Sequence, residues 1–306
     1  VSSRTTDERA GRPDAAVVAI LAIAVGIGAA IGVERRAMAQ DVGIDAGPVI
    51  DPDTAPDQAA ADQWRFRVGL GVGVRPDYIG SDDYEAVPLP QFTASRGTQY
   101  VNITGSYLFS NLVPSSNWRL GPTAKFLNGG DRCNADDNRV SDMRCQANAL
   151  MLGATGGYAF PIPGLAGRQA KLTPALEILG DVAGANDGVT IEPQLNYAQL
   201  LAADWRLGLR AFGTWGSDDF NDYTFGVSRF DAQRSGLPRY SADAGFYQTG
   251  LLGAVDYDLT EAWRLSVIGR YTRLVGDAED SPIVDGRDAQ GSANQFLAGL
   301  IVSYVW

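Results

Sequence analysis

The sequence predicts an all-β protein, an antiparallel transmembrane β-barrel of the outer-membrane kind with twelve strands, ten being the alternative. Three observations predict it. The last fourteen residues alternate, with Trp306, Tyr304, Val302, Leu300, Ala298 and Phe296 on one face and Ser303, Gly299 and Gln295 on the other. A strand with lipid on one side and a lumen on the other has this period. Four segments open on Trp-Arg and then alternate in the same way, at Trp64-Arg65, Trp118-Arg119, Trp205-Arg206 and Trp263-Arg264. Mean hydropathy is −0.10, and no apolar run of spanning length follows the N-terminal segment, which excludes a helical membrane protein there.

Taken in order, the chain begins with a targeting segment. Residues 15–33 are almost wholly apolar, Arg4, Arg9 and Arg12 precede them, and Ala37 and Ala39 form a small-x-small cleavage site before Gln40. We expect 1–39 to be a signal peptide, an uncleaved anchor being the alternative. Residues 40–62 are rich in Asp, Ala and Pro without apolar period, and read as a disordered periplasmic lead-in. The barrel is then 63–306, with strands expected at 63–74, 84–95, 98–104, 107–113, 117–128, 148–160, 168–180, 188–201, 203–216, 244–258, 261–276 and 293–306. The short pair at 98–113 decides between twelve strands and ten. Gly69, Gly71 and Gly73 are read as small lumen-facing residues, because Arg75-Pro76-Asp77 follows them where a nucleotide fingerprint would start a helix.

Alternation assigns the two faces. Trp64, Trp118, Trp205, Trp215, Trp263, Tyr271, Tyr304 and Trp306 fall near strand ends on the outward face, as two aromatic girdles. Arg65, Arg67, Arg119, Lys125, Glu177, Glu192, Arg206, Arg210, Arg264 and Arg270 should point into the lumen. With 23 Arg and two Lys, planar guanidinium networks that fill a narrow interior are favoured over a small anion-preferring pore or a small-solute binding site. Long outer loops are expected at 76–83, 129–147, 181–187, 217–243 and 277–292. Cys133 and Cys145 share one of them, which in an oxidising compartment argues a disulfide.

Histidine is absent, which removes the usual base for serine or water activation. The paired carboxylates Asp82-Asp83, Asp136-Asp137 and Asp218-Asp219 are read as solvated loop residues. With Asp277, Glu279, Asp280, Asp285 and Asp288 they could bridge divalent cations to lipopolysaccharide phosphates. No enzyme, metal site, cofactor or nucleic-acid partner is expected. The expected surroundings are outer-membrane lipid and lipopolysaccharide of a Gram-negative cell, and the aromatic C-terminus is the kind that barrel assembly machinery receives.

Three stretches carry a family resemblance. Gly71-Val72-Gly73-Val74-Arg75-Pro76-Asp77-Tyr78-Ile79-Gly80-Ser81-Asp82-Asp83-Tyr84 with Pro88-Leu89-Pro90 resembles the opening of the MipA/OmpV family of MltA-interacting outer-membrane proteins. Tyr223-Thr224-Phe225-Gly226-Val227-Ser228 with Ser235-Gly236-Leu237-Pro238-Arg239-Tyr240 is similar to its central loop, and 274–284 to its last. The resemblance implies a scaffold that bridges a murein lytic transglycosylase, a hydrolase, and a murein synthase in peptidoglycan assembly. Other members are described as antigens or adhesins. It supplies no catalytic residues, and the Cys133–Cys145 loop is not a mark of the family.

Overall fold

A computed structural model describes residues 63–306. The expected signal peptide 1–39, its cleavage residues Ala37, Ala39 and Gln40, and the lead-in 40–62 lie outside the described residues. The strands are β1 (Arg65–Pro76), β2 (Tyr84–Arg96), β3 (Gln99–Thr104), β4 (Tyr107–Asn111), β5 (Trp118–Leu127), β6 (Ala149–Tyr158), β7 (Phe160–Pro163), β8 (Gln169–Asp181), β9 (Val189–Leu200), β10 (Trp205–Gly216), β11 (Gly245–Asp258), β12 (Trp263–Leu274) and β13 (Asn294–Val305). Neighbours in sequence pair antiparallel, β6 also pairs with β8, and β1 pairs with β13, so the sheet closes on itself. β6 and β7 are one strand interrupted at Ala159, which makes the barrel twelve-stranded. The added stretch carries Pro161 and Pro163 and pairs with β8 alone, and a strand with one open side tolerates residues that lack an N–H.

The wall is two-faced because its residues alternate. Along β1, Val68, Leu70, Val72 and Val74 are exposed, while Gly69, Gly73 and Arg75 are buried. The first and last strands meet at one seam, where Phe66 and Trp306 exchange backbone hydrogen bonds of 3.0 Å. From there the β1–β13 ladder climbs to Val74↔Ala298. The links at the barrel end that holds Phe66 and Trp306 are short, such as 97–98, 201–204 and 259–262, and those at the opposite end are long. Outer-membrane barrels place short turns in the periplasm and long loops outside.

The wall is lower at one place. β3 and β4 span 6 and 5 residues beside 13 in β2. The β2–β3 ladder stops at Gln91↔Thr104, so residues 84–90 of β2 pair only with β1 among the described residues. Gly105 N donates to Pro90 O, which shows that Pro90, and with it Pro88, turns its main-chain polar groups toward this open edge. Neither has an N–H to leave unpaired there.

Four outer loops (77–83, 128–148, 217–244 and 275–293) fold together over the mouth. They carry the helical turns α1 (Asn138–Ser141), α2 (Asp218–Phe225) and α3 (Arg229–Ser235). Each starts on a capping side chain, Asp137, Ser217 and Ser228 respectively. Gly236, at φ 73°, closes α3 in the left-handed conformation that suits glycine. Tyr78, Val140, Met143, Phe225, Val227, Leu237, Ile283 and Val284 form one buried cluster with Leu274 and Tyr247 of the strands below. The long segments are therefore a cap with its own apolar core.

Candidate functional site: the barrel interior and its cap

At the periplasmic end of the lumen, four strands contribute an ion-pair network. Asp258 accepts from Arg206 at 2.7 Å and from Arg264 at 2.6 Å. Asp256 lies 3.6 Å from both Arg67 and Arg264, and Arg67 also donates to Thr93 at 3.1 Å. The Trp-Arg pattern produces this arrangement: Trp205 and Trp263 face out, and the next residue in each strand faces in. Arg65 lies on the same inward register of β1, half-buried.

Midway up, Glu177 and Glu192 stand directly opposite each other on β8 and β9. Both are buried, and like charges so placed repel. Donors surround them: the Tyr107 hydroxyl and Thr155 (2.9 Å) on Glu177, and Thr214 (2.7 Å) and Gln194 (2.9 Å) on Glu192. Arg119, on β5, and Arg210, which donates to Asn196 at 2.7 Å, line one small cavity together with Tyr107, Thr155 and Gln194. This is a carboxylate cluster held by hydroxyl and amide donors, and among the described residues no group of His, Cys, Asp and Glu could hold a metal ion.

Nearer the mouth, Arg270 stacks on Phe212 with its guanidinium carbon 4.5 Å from the ring centroid, and donates to Thr272 at 3.0 Å. Arg75 pairs with Glu85 at 2.5 Å and with Asp131 of the cap at 3.4 Å. Lys125 lines the same outer part of the lumen. Arg119, Glu177, Glu192, Arg206 and Arg210 are buried, and Arg65, Arg67, Lys125, Arg264 and Arg270 are half-buried. What alternation did not expose is an apolar cluster on inward positions: Val87, Leu89, Leu252, Ala254, Ile268 and Ile301. Leu89 sits over Gly73 and Gly299, where an added Cβ would come within 2.9 and 2.6 Å of its Cδ1. A sign was present in β13, where Leu297 and Ile301 share the face of Gln295, Gly299 and Ser303.

The aromatic residues collect at two levels. At the periplasmic end Trp64, Phe66, Trp306, Tyr304 and Trp263 form a continuous chain of ring contacts, with separate groups at Trp205–Tyr257 and at Trp118–Tyr158–Phe160. At the outer end Tyr271 contacts Phe296, and Trp215 is opposite Phe246 in the ladder.

The cap corrects one expectation. Asp137 is not a solvated loop acid but is 5% exposed. It accepts from the amides of Arg139 and Val140, and from that of Gln290 in another loop. Asp77 accepts similarly from Asp136 and Tyr78, and Asp218 from Ala244. Asp82 and Asp219 are exposed as expected. Burial raises the Asp131 carboxyl to about 7, although Arg75 opposes this. Burial would raise Asp231 as well, but hydrogen bonds from Arg144 and Ser228 outweigh it and hold it at about 2. Cys133 and Cys145 are joined in a disulfide. Beside it Arg132 is buried and donates to the carbonyls of Thr224 and Gly226, which ties the stapled loop to α2.

A twelve-stranded barrel with aromatic ends, an arginine-rich interior and a loop cap can now be compared with known proteins. The profile of "MltA-interacting protein MipA" matches residues 68–306. The chain belongs to the MipA family. It is 38% identical to the MltA-interacting protein of Escherichia coli over 231 residues, 72% of this chain and 84% of that protein. It is 34% identical to the outer membrane protein OmpV of Vibrio cholerae over 88 residues, 29% of this chain and 31% of that one. Among solved structures, the COG4313 outer membrane channel from Pseudomonas putida F1 aligns over 80% of this chain and 96% of that one, with 12% identity and a TM-score of 0.39. This member of the MipA family is an outer-membrane protein.

Proposed function

We propose that the protein is a non-enzymatic outer-membrane scaffold, bridging a murein lytic transglycosylase and a murein synthase through its periplasmic face. The observation that carries this reading is the packed interior. An aqueous pore keeps its lining charges in contact with water, whereas Arg119, Glu177, Glu192, Arg206, Arg210 and Asp256 are all buried. An apolar cluster fills the space beside β1, β2, β11, β12 and β13, and a cap with its own core covers the mouth. A barrel built this way offers surfaces more than a conduit. The naming of the Escherichia coli relative for its interaction with MltA supports the partner class.

Affinity capture from native envelope extract by the folded, detergent-purified protein tests the reading, with a version lacking residues 41–62 run beside it. Recovery of a murein hydrolase together with a synthase is the expected result. Steady anion-selective steps in a planar bilayer, abolished by charge reversal at Arg210 and Arg270, would instead establish the channel reading. Loss of cell attachment on deleting outer loops, with the barrel still assembled, would establish adhesion.

A further inference from the structure

On the outer face of the barrel one patch breaks the rule that outward residues are exposed. Leu176, Ile178 and Leu195 of β8 and β9 are exposed, as a lipid-facing wall requires. Nearer the periplasmic end the same register sets Ala170 opposite Gln199. These two are only 3% and 1% exposed. The link 164–168 covers them. Ala166, at φ 54°, and Gly167, at φ 72°, reverse the chain, which folds back against the outside of the wall. Gly164 lies so close that an added Cβ would come within 2.9 Å of both Ala170 Cβ and Gln199 Cδ.

Gln199 fastens the link by its main chain. Leu165 N donates to Gln199 Oε1 at 3.0 Å, and Gln199 Nε2 donates to Leu165 O at 2.8 Å. The Tyr197 hydroxyl also donates to Oε1. Gly164 N donates to Arg168 O, and Arg168 N to Leu165 O. A polar side chain on the outward register is thus satisfied, and so is the backbone of Leu165. Both are conditions for contact with hydrocarbon. The Leu165 side chain itself is left 59% exposed.

The position of the link in the aromatic belt identifies what covers that side chain. Trp118, Tyr158 and Phe160 are in ring contact on β5, β6 and β7 to one side, and Trp205 and Tyr257 on β10 and β11 to the other. Between them the periplasmic ends of β8 and β9 bring one ring outward, that of Tyr197, and it is half-buried. Leu165 stands in this gap, and Arg168, also exposed, follows it. At such a level an apolar side chain enters the border of the bilayer while a long cationic one reaches the head-group phosphates.

We propose that the link 164–168 is an interfacial membrane anchor: clamped by Gln199, it sinks Leu165 into the phospholipid of the periplasmic leaflet and sets Arg168 at the level of the phosphates. A protein partner is the rival occupant, but the link continues a belt whose other members meet lipid.

The test places a single fluorophore on Leu165→Cys, the chain's own two cysteines being tied in their disulfide, with the protein in nanodiscs of phosphatidylethanolamine and phosphatidylglycerol. Glu261→Cys, in the exposed turn 259–262 at the same end, is the aqueous reference. Phospholipid brominated on its acyl chains should quench the label at 165 and spare that at 261, and iodide should quench the label at 261 about fivefold more than that at 165. Gln199→Ala should raise iodide quenching at 165 about twofold, the clamp being gone. Heat-shifted gel mobility reports that each variant is folded. If Leu165→Cys is not, the unaltered protein cross-linked to a phospholipid with an acyl diazirine should carry the adduct on Leu165. Equal iodide quenching at 165 and 261, no quenching by the brominated lipid, or cross-links that mark the outward strand residues and spare 164–167 would overturn the anchor. Iodide quenching unchanged by Q199A in the folded protein would overturn the clamp.

Discussion

The lumen and the cap bury polar groups in opposite ways. In the lumen, charges from facing strands meet one another: Asp258 holds two arginines, and Glu177 faces Glu192 inside a shell of hydroxyls and amides. In the cap, charges mostly meet backbone. Asp137 gathers three amides from two loops, and Arg132 gives its guanidinium to two carbonyls. The difference follows from what surrounds them. Strand backbone is already paired within the sheet, so side chains must satisfy side chains. Irregular loops have unpaired amides and carbonyls to spare.

If this division is physical, the two regions should fail separately. The largest effect is expected from Phe225→Ala. That side chain is fully buried in the cap core, and such a truncation costs about 3–5 kcal/mol. The cap loops should become sensitive to limited proteolysis while heat-shifted mobility, which reports the closed barrel, is unchanged. Loss of both together would mean one cooperative unit. Next, replacing Cys133 and Cys145 by serine should cost about 3 kcal/mol on the loop-closure account, again as protease sensitivity within 128–148 alone.

The third test uses pH. Asp131 has a folded value near 7, above that of an unfolded aspartate, so the folded cap binds the proton more tightly. Stability from this group is therefore full below about pH 4, falls as pH rises to 7, and is flat beyond. Asp131→Asn should remove that decline and make the cap more protease-resistant at neutral pH. Asp231 acts in the opposite sense and in a lower window, its contribution being lost as pH falls from about 4 toward 2. The smallest effect is expected in the lumen. Asp258→Ala leaves Arg206 and Arg264 without that carboxylate, a loss of about 2 kcal/mol once partial exposure is allowed for. It should lower the temperature of the mobility shift and leave cap proteolysis alone.

What could be read in the sequence divides along the same line. Strand alternation is a local property, and it placed Trp205 outside and Arg206 inside, recovered the short 98–113 hairpin, and set all twelve strands close to their observed bounds. The break at Ala159, which carries the sixth strand on to Pro163, was not visible, because it depends on how that segment lies beside β8. The inward apolar residues were partly hidden. Leu89 is read as lumen-facing by parity, yet its packing depends on Gly73 and Gly299 from two other strands. The cap core was hidden entirely. Tyr78, Val140, Phe225 and Ile283 come from four loops with no shared period, so only their meeting in space marks them as a core. The role of Asp137 as a bridge to Gln290 was invisible for the same reason.

The open edge of β2 bears on how copies of the protein treat one another. A bare strand edge is adhesive because it can exchange bonds reciprocally with a second edge, donor for acceptor. Of the residues turned to that edge, Tyr84, Ala86, Pro88 and Pro90, the two prolines have no amide to offer. Another chain could dock only half a ladder. The wall can thus stay incomplete at this point without becoming a seed for edge-to-edge aggregation, during assembly or afterwards.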